Sequence, residues 1–202
     1  MKSHLKYLLP LLTFILIASS CQKEEIEVED ELPPITQEGL NTFGCKIDGE
    51  VFVPKDGEPS FFVSAATGLR VVFGTDFQAD SGGDDVSISA VNAKDENGNF
   101  VFIYIDSISS ENIFEIFDSE GSSVNPQINS HGFVVTYSNG QRKKFLSFSN
   151  AGKIDVTLID FESYIISGIF EFQAVNEADY TDTLSITEGR FDINWRTLNE
   201  EE

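Results

Sequence analysis

Three bases stand in succession at Arg142, Lys143 and Lys144, in a chain that carries 13 basic residues against 34 acidic ones. They follow Asn139-Gly140, a pair that favours a two-residue hairpin turn because both residues accept positive φ. Such a turn places Tyr137 directly opposite Arg142, where ring and guanidinium can stack. An anionic polysaccharide or a lipid phosphate would match that chemistry; the plainer alternative is a charged hairpin tip that keeps the chain soluble. Tyr180, in the loop NEADYTD at residues 176–182, is a second candidate for contact with a sugar or a protein.

Two acidic loops raise the question of calcium. DFQADSGGDD holds Asp76, Asp80, Asp84 and Asp85, while DENGN holds Asp95, Asn97 and Asn99 at alternate positions. Calcium takes roughly six to eight oxygens, usually with a distant bidentate carboxylate. Neither loop has that pattern, and Asn97-Gly98 is already a turn signal, so no metal site is assigned. Beyond the leader the chain has one histidine, His131, placed after a long irregular stretch and expected to be a solvated loop residue. One histidine gives no imidazole cluster for a metal and no choice of bases for a triad. With 34 acids, carboxylate pairs arise by chance. No catalytic residue and no cofactor is assigned, and the chain is expected not to be an enzyme.

The N-terminus says where the chain is sent. Lys2 and Lys6 form a positive n-region, residues 7–17 an apolar run of about eleven, and Ala18, Ser19 and Ser20 a small-residue cleavage site, together a secretory leader over residues 1–20. A membrane-spanning helix needs about 20 apolar residues, and the acids from Glu24 onward end the run sooner. Ala18-Ser19-Ser20-Cys21 resembles a bacterial lipobox, with Ala18 where leucine is usual, which implies diacylation of Cys21 and a membrane anchor. Two acyl chains hold firmly where one does not. The alternative is ordinary cleavage, leaving Cys21 a thiol able to pair with Cys45. Lys23, Glu24 and Glu25 resemble the export tag of Bacteroidota lipoproteins, which implies transfer across the outer membrane to the cell surface. The alternative is an acidic spacer on a domain facing the periplasm. Residues 21–41 thus read as a lipidated cysteine and an acidic, flexible tether stiffened at Pro33-Pro34. A net charge of −21 makes nucleic acid a poor partner.

Residues 42–198 form a single domain, followed by an acidic tail at 199–202. Its periodicity is that of strands. TFGCKIDGEVFV places Phe43, Cys45 and Ile47 on one face, turns at Asp48-Gly49 and returns with Phe52 on that face, so Cys45 is expected in the core. Further hairpins turn near Thr67-Gly68, Asn97-Gly98 and Asn139-Gly140, and Ile113 to Ile116 form a short strand. In TLSITEGRFDINW, Leu184 and Ile186 share a face with Phe191, Ile193 and Trp195 only if one residue is extra near Glu188-Gly189, which predicts a bulge. The fold class expected is all-β, an antiparallel β-sandwich or partly open β-barrel of about 10–12 strands.

The motifs TFGC-x-x-x-G at the start and SG-x-F-x-F…GRFD near the end resemble a family of Bacteroidota lipoproteins whose shared domain has no assigned function. That resemblance implies a lipidated, exported β-domain and supplies no activity, cofactor or site residue. The expected role is a non-catalytic surface module that binds glycan or protein through loops at one end of the domain. The alternatives are an accessory envelope lipoprotein on the periplasmic face and, behind it, a carboxylate-based hydrolase.

Overall fold

The computed structural model describes residues 30–59, 66–74, 84–95, 98–124, 126–138 and 140–200. The leader, Cys21, Lys23, Glu24 and Glu25 lie outside the described residues, as do Asp76, Asp80, Asn97 and Asn139 and the stretch before Thr67-Gly68.

Among the described residues the alternating apolar pattern becomes ten strands. These are β1 (Thr42–Ile47), β2 (Glu50–Phe52), β3 (Leu69–Phe73), β4 (Asp84–Val91), β5 (Phe100–Ile108), β6 (Asn112–Glu115), β7 (His131–Ser138), β8 (Gln141–Asp160), β9 (Ile165–Asn176) and β10 (Thr183–Asn194), followed by a short helix, α1 (Trp195–Glu200). Nine strands form one antiparallel sheet in the order β2-β1-β10-β9-β8-β7-β5-β4-β3, and β6 pairs with the C-terminal half of β8. The sheet curls into a half-barrel. Two contacts link its distant strands: Lys55, beyond the edge strand β2, bridges Asn92, beyond β4, and Phe73 of the edge strand β3 packs against Trp195 of α1 with ring centroids 5.2 Å apart.

The main core fills the concave side. Phe43, Cys45, Ile47 and Phe52 are buried together, and Cys45 pairs with Phe52 across the β1–β2 hairpin. The turn has positive φ at both Asp48 (49°) and Gly49 (90°), the type I′ geometry that suits the twist of two strands. Cys45 is a buried thiol with no disulfide among the described residues; Cys21, its possible partner, lies outside them. The predicted bulge is present: between Ile186 and Gly189 two residues of β10 oppose one of β9, with Glu188 at φ 50°. The shift keeps Leu184, Ile186, Phe191, Ile193 and Trp195 all buried. Gly189 is required there, because a Cβ would stand 2.5 Å from the Phe170 ring.

Two expectations are corrected. The segment read as a flexible tether up to residue 41 is fastened to the sheet from Asp30 onward. Asp30 pairs with Lys55 at 2.6 Å, and Asp192 of β10 accepts hydrogen bonds from Thr36 Oγ1 (2.6 Å), Glu38 N (3.0 Å) and Gly39 N (2.8 Å). A buried carboxylate needs donors, and this segment supplies them. Second, Trp195 ends the last strand by starting a helix, with the Asn194 side chain accepting from the Arg196 and Thr197 amides at 3.1 Å. Such a side-chain acceptor caps the first turn. Residues 141–160 are one strand, β8, with an irregularity between Ser147 and Gly152.

Candidate functional site

A sheet with one wet face alternates apolar and polar residues, but β5 does not. Val101, Ile103 and Ile105 enter the main core, while Phe102 and Tyr104 on the opposite, convex face are just as buried. A strand apolar on both faces needs cover on both. On the convex face Phe102 stands opposite Phe133, and Phe100 opposite Val135, with ring centroids 4.9 Å apart for Phe102–Phe133 and 5.6 Å for Phe100–Phe133. Tyr137 and Leu146 pack against this second cluster.

Its cover is the chain between β6 and β7. That segment is stitched down by Phe117 N to Ser130 O (2.9 Å) and Ser119 N to Ser147 O (3.0 Å). Ser147 Oγ donates to Phe117 O (2.7 Å) and accepts from Gly132 N (3.1 Å). Gln127 ties the segment to itself by accepting from Glu120 N at 2.8 Å and donating to Asp118 O. His131 lies underneath, 1% exposed, with its ring 5.1 Å from Tyr104 and Nδ1 2.8 Å from Asn129 O. The expectation of a solvated histidine is therefore wrong: β7 begins at His131, and its side chain points into the convex-face cluster. Burial lowers its pKa, offset in part by the Asn129 carbonyl and by Glu120.

The cover stops short of the turn end. There a groove of about 340 Å³ opens, lined by Phe100, Phe133, Val135 and Tyr137 and by the polar groups of Asn92, Asp95, Ser123 and Arg142. Phe133 and Val135 are buried, whereas Phe100 and Tyr137 are half-buried and Arg142 is exposed. Two partly open rings beside polar groups can take the apolar face of a sugar and bind its hydroxyls. The expected register is present, with Tyr137 opposite Arg142. The expected stack is not: among the described residues the cation–ring contacts are Lys144 over Phe133, 6.0 Å from its centroid, and Arg196 over Tyr164 at 5.4 Å.

The three bases divide. Lys143 pairs with Asp182 at 2.8 Å and Lys144 with Glu177 at 3.4 Å, and Lys144 Nζ also donates to Gly121 O at 3.3 Å. The acidic loop between β9 and β10 thus neutralises both lysines, and the Lys143 and Asn176 hydrogen bonds hold the Asp182 carboxyl below the usual range. Arg142 has no ion pair among the described residues. Lys143 faces a separate hollow of about 310 Å³, lined also by Thr136 and Asp182. Tyr180, 78% exposed, lines neither space.

Of the residues singled out by sequence, the groove thus brings together Tyr137, Arg142 and Asp95. It adds Phe100, Phe133, Val135, Asn92 and Ser123, which sequence reading passed over. The signal for the aromatic ones is the unbroken apolar run FVFIYI in β5, whose second face must meet something. No group of His, Cys, Asp or Glu able to hold a metal occurs among the described residues. Compared with family models, with curated proteins and with solved structures, the chain matches none.

Proposed function

We propose that this chain is an outer-membrane lipoprotein anchored through Cys21, carried to the cell surface by the Lys23-Glu24-Glu25 tag, whose β-domain is a non-catalytic module binding glycan. Membership of the Bacteroidota lipoprotein family that the TFGC and GRFD motifs resemble belongs to the same proposal. The observation that supports the binding role is the convex-face groove, where Phe100 and Tyr137 are left open beside Arg142, Asn92 and Ser123. Glycoside hydrolysis would need two carboxyl groups facing one another across a cleft, and among the described residues Asp95 is the carboxylate that lines this groove. Asp30 sits on Lys55, which bridges the groove residue Asn92, so the fastened N-terminal segment begins close to the groove.

A second reading, an accessory lipoprotein with a protein partner in the envelope, is favoured by a different face. Ile113, Asp155 and Ile169 follow one another across β6, β8 and β9, and Ile113 and Ile35 are more than half exposed at 52% and 62%.

Shaving of intact cells with an impermeant protease tests the address. Wild type is cleaved and a Lys23→Ala, Glu24→Ala, Glu25→Ala variant is protected, with both made and lipidated. Protection of both, with cleavage after lysis, moves the domain to the periplasm and favours the second reading.

A further inference from the structure

We infer that the ligand of the groove is an anionic glycan, whose carboxylate or sulfate is taken by Arg142 while a sugar ring lies on Tyr137 and Phe100. This rests on the glycan-binding reading above and names the chemical class of its ligand.

The inference starts from which cations are already engaged. Acids outnumber bases 34 to 13 in the chain, so a carboxylate is easily found for any base the fold needs neutralised. Lys143 and Lys144 have theirs at 2.8 Å and 3.4 Å. Arg142, beside them on the same strand, has none among the described residues and is exposed at the groove. Its alternation along β8 is the reason. Arg142 shares the convex face with Tyr137 across the hairpin, whereas Lys143 lines the other hollow with Asp182. The guanidinium is planar and presents parallel N–H donors that fit a carboxylate or sulfate two at a time. Neither its face nor its donors are occupied by Tyr137.

The Lys144 ammonium lies 6.0 Å from the centre of the Phe133 ring that lines the groove, but Glu177 at 3.4 Å already neutralises it. Arg142 is therefore the cation that the groove offers, and Asp95 stands on the same lining. The overall charge of −21 does not decide the matter, because charges beyond about 8 Å are largely screened at physiological salt. What a ligand meets inside the groove is two rings, hydroxyl and amide groups from Ser123 and Asn92, and an available guanidinium. A neutral sugar would use the rings and leave the guanidinium to water.

The test uses the mature chain with Cys21→Ser, so that it is free of lipid, in affinity electrophoresis through gels containing acidic polysaccharides (alginate, hyaluronan, chondroitin sulfate) or neutral ones (dextran, laminarin, xylan). Retardation is expected in at least one acidic gel and in no neutral gel, weakened by raised salt. Arg142→Gln is expected to weaken it about tenfold or more, the scale of a lost charge-assisted hydrogen bond. Arg142→Lys restores part of the loss, because charge returns without the fork, and Tyr137→Ala weakens binding as well. Arg142 is exposed, and matching thermal unfolding of the variants establishes that they fold. Acidic binding that Arg142→Gln leaves unchanged overturns the inference. Binding of neutral polysaccharide that needs Tyr137 but not Arg142 also overturns it, while keeping the groove as a glycan site. No retardation by either class overturns both the inference and the reading beneath it.

Discussion

Replacing Asp192 by alanine removes the acceptor on which the N-terminal segment is hung. The carboxylate is 1% exposed and accepts from five donors: Thr36 Oγ1 (2.6 Å), Ser167 Oγ (2.7 Å), Gly39 N (2.8 Å), Glu38 N (3.0 Å) and Leu40 N (3.3 Å). A hydrogen bond to a charged group contributes about 1.5–3 kcal/mol when deleted singly, but these five do not add. Once the carboxylate is gone, residues 36–40 can lift away and give their N–H groups to water, which caps the loss. Ser167, fully buried in β9, has no such escape. The expected cost is about 3–5 kcal/mol, the scale seen when one side of a buried charged network is removed. At about 2–4 °C per kcal/mol for a domain of this size, the melting temperature should fall by roughly 10 °C.

Urea unfolding reads this directly, because the sole tryptophan, Trp195, is buried immediately after Asn194 and reports on the end of β10. Digestion with a glutamate-specific protease reads the latch itself: Glu38 should be cut in Asp192→Ala while the strands persist. Asp192→Asn should fall between the two, since its shape is kept but one acceptor becomes a donor facing N–H groups. Burial by itself pushes the Asp192 carboxyl up; the hydrogen bonds from Thr36, Ser167, Gly39 and Glu38 outweigh it, and the net direction is down. A lowered carboxyl stabilises above its unfolded value of about 3.9 and loses that contribution as pH falls through the folded value. Below about pH 4 the stability of Asp192→Asn should therefore decline less steeply than wild type. An Asp192→Ala protein within about 1 kcal/mol of wild type, with Glu38 still protected, would refute the latch.

Two further groups titrate in separate windows. His131 is held neutral by burial, so the unfolded chain takes up its proton first as pH drops below about 6.5, and stability should decline from there toward the lowered folded value. His131→Gln should remove that slope between pH 7 and 5 without touching the one near pH 4, and an unchanged slope in thermal melts would show that another group is responsible. Burial pushes the Cys45 thiol up to about 12, and the thiolate is the reactive form. In the Cys21→Ser chain a thiol reagent should label Cys45 only at the rate of unfolding, and labelling within minutes under native conditions would contradict its place in the core.

Much of the fold was legible because its signals are local. Asp48-Gly49 carries its turn in two residues, and the alternation of Phe43, Cys45 and Ile47 names the buried face. The spacing from Ile186 to Phe191 requires an extra residue wherever both are inward, and the bulge at Glu188-Gly189 supplies it. Asp192 carried no such signal. An acid between Phe191 and Ile193 reads as an outward residue, and its donors come from more than 150 positions earlier in the chain. Thr36 to Leu40 look like tether because their hydrogen-bond partner is invisible to any window that contains them.

The groove lies between these cases. Arg142 opposite Tyr137 follows from a two-residue turn, and the two-sided apolar character of β5 is plain in FVFIYI. What could not be read is the extent of the cover. The chain from Phe117 to Ser130 is fixed by Ser147, Gly132 and its own Gln127, contacts made across a bend in β8 that breaks the alternation. The segment carries Asn129 beside the buried His131, and its Gly121 and Ser123 line the groove with Phe100 and Tyr137. Ser147 fastens that segment by donating to Phe117 O and accepting from Gly132 N. One end of the aromatic row is thus closed over the buried His131, and the other is open beside Arg142, which has no ion pair among the described residues; this contrast is what the glycan-binding proposal rests on.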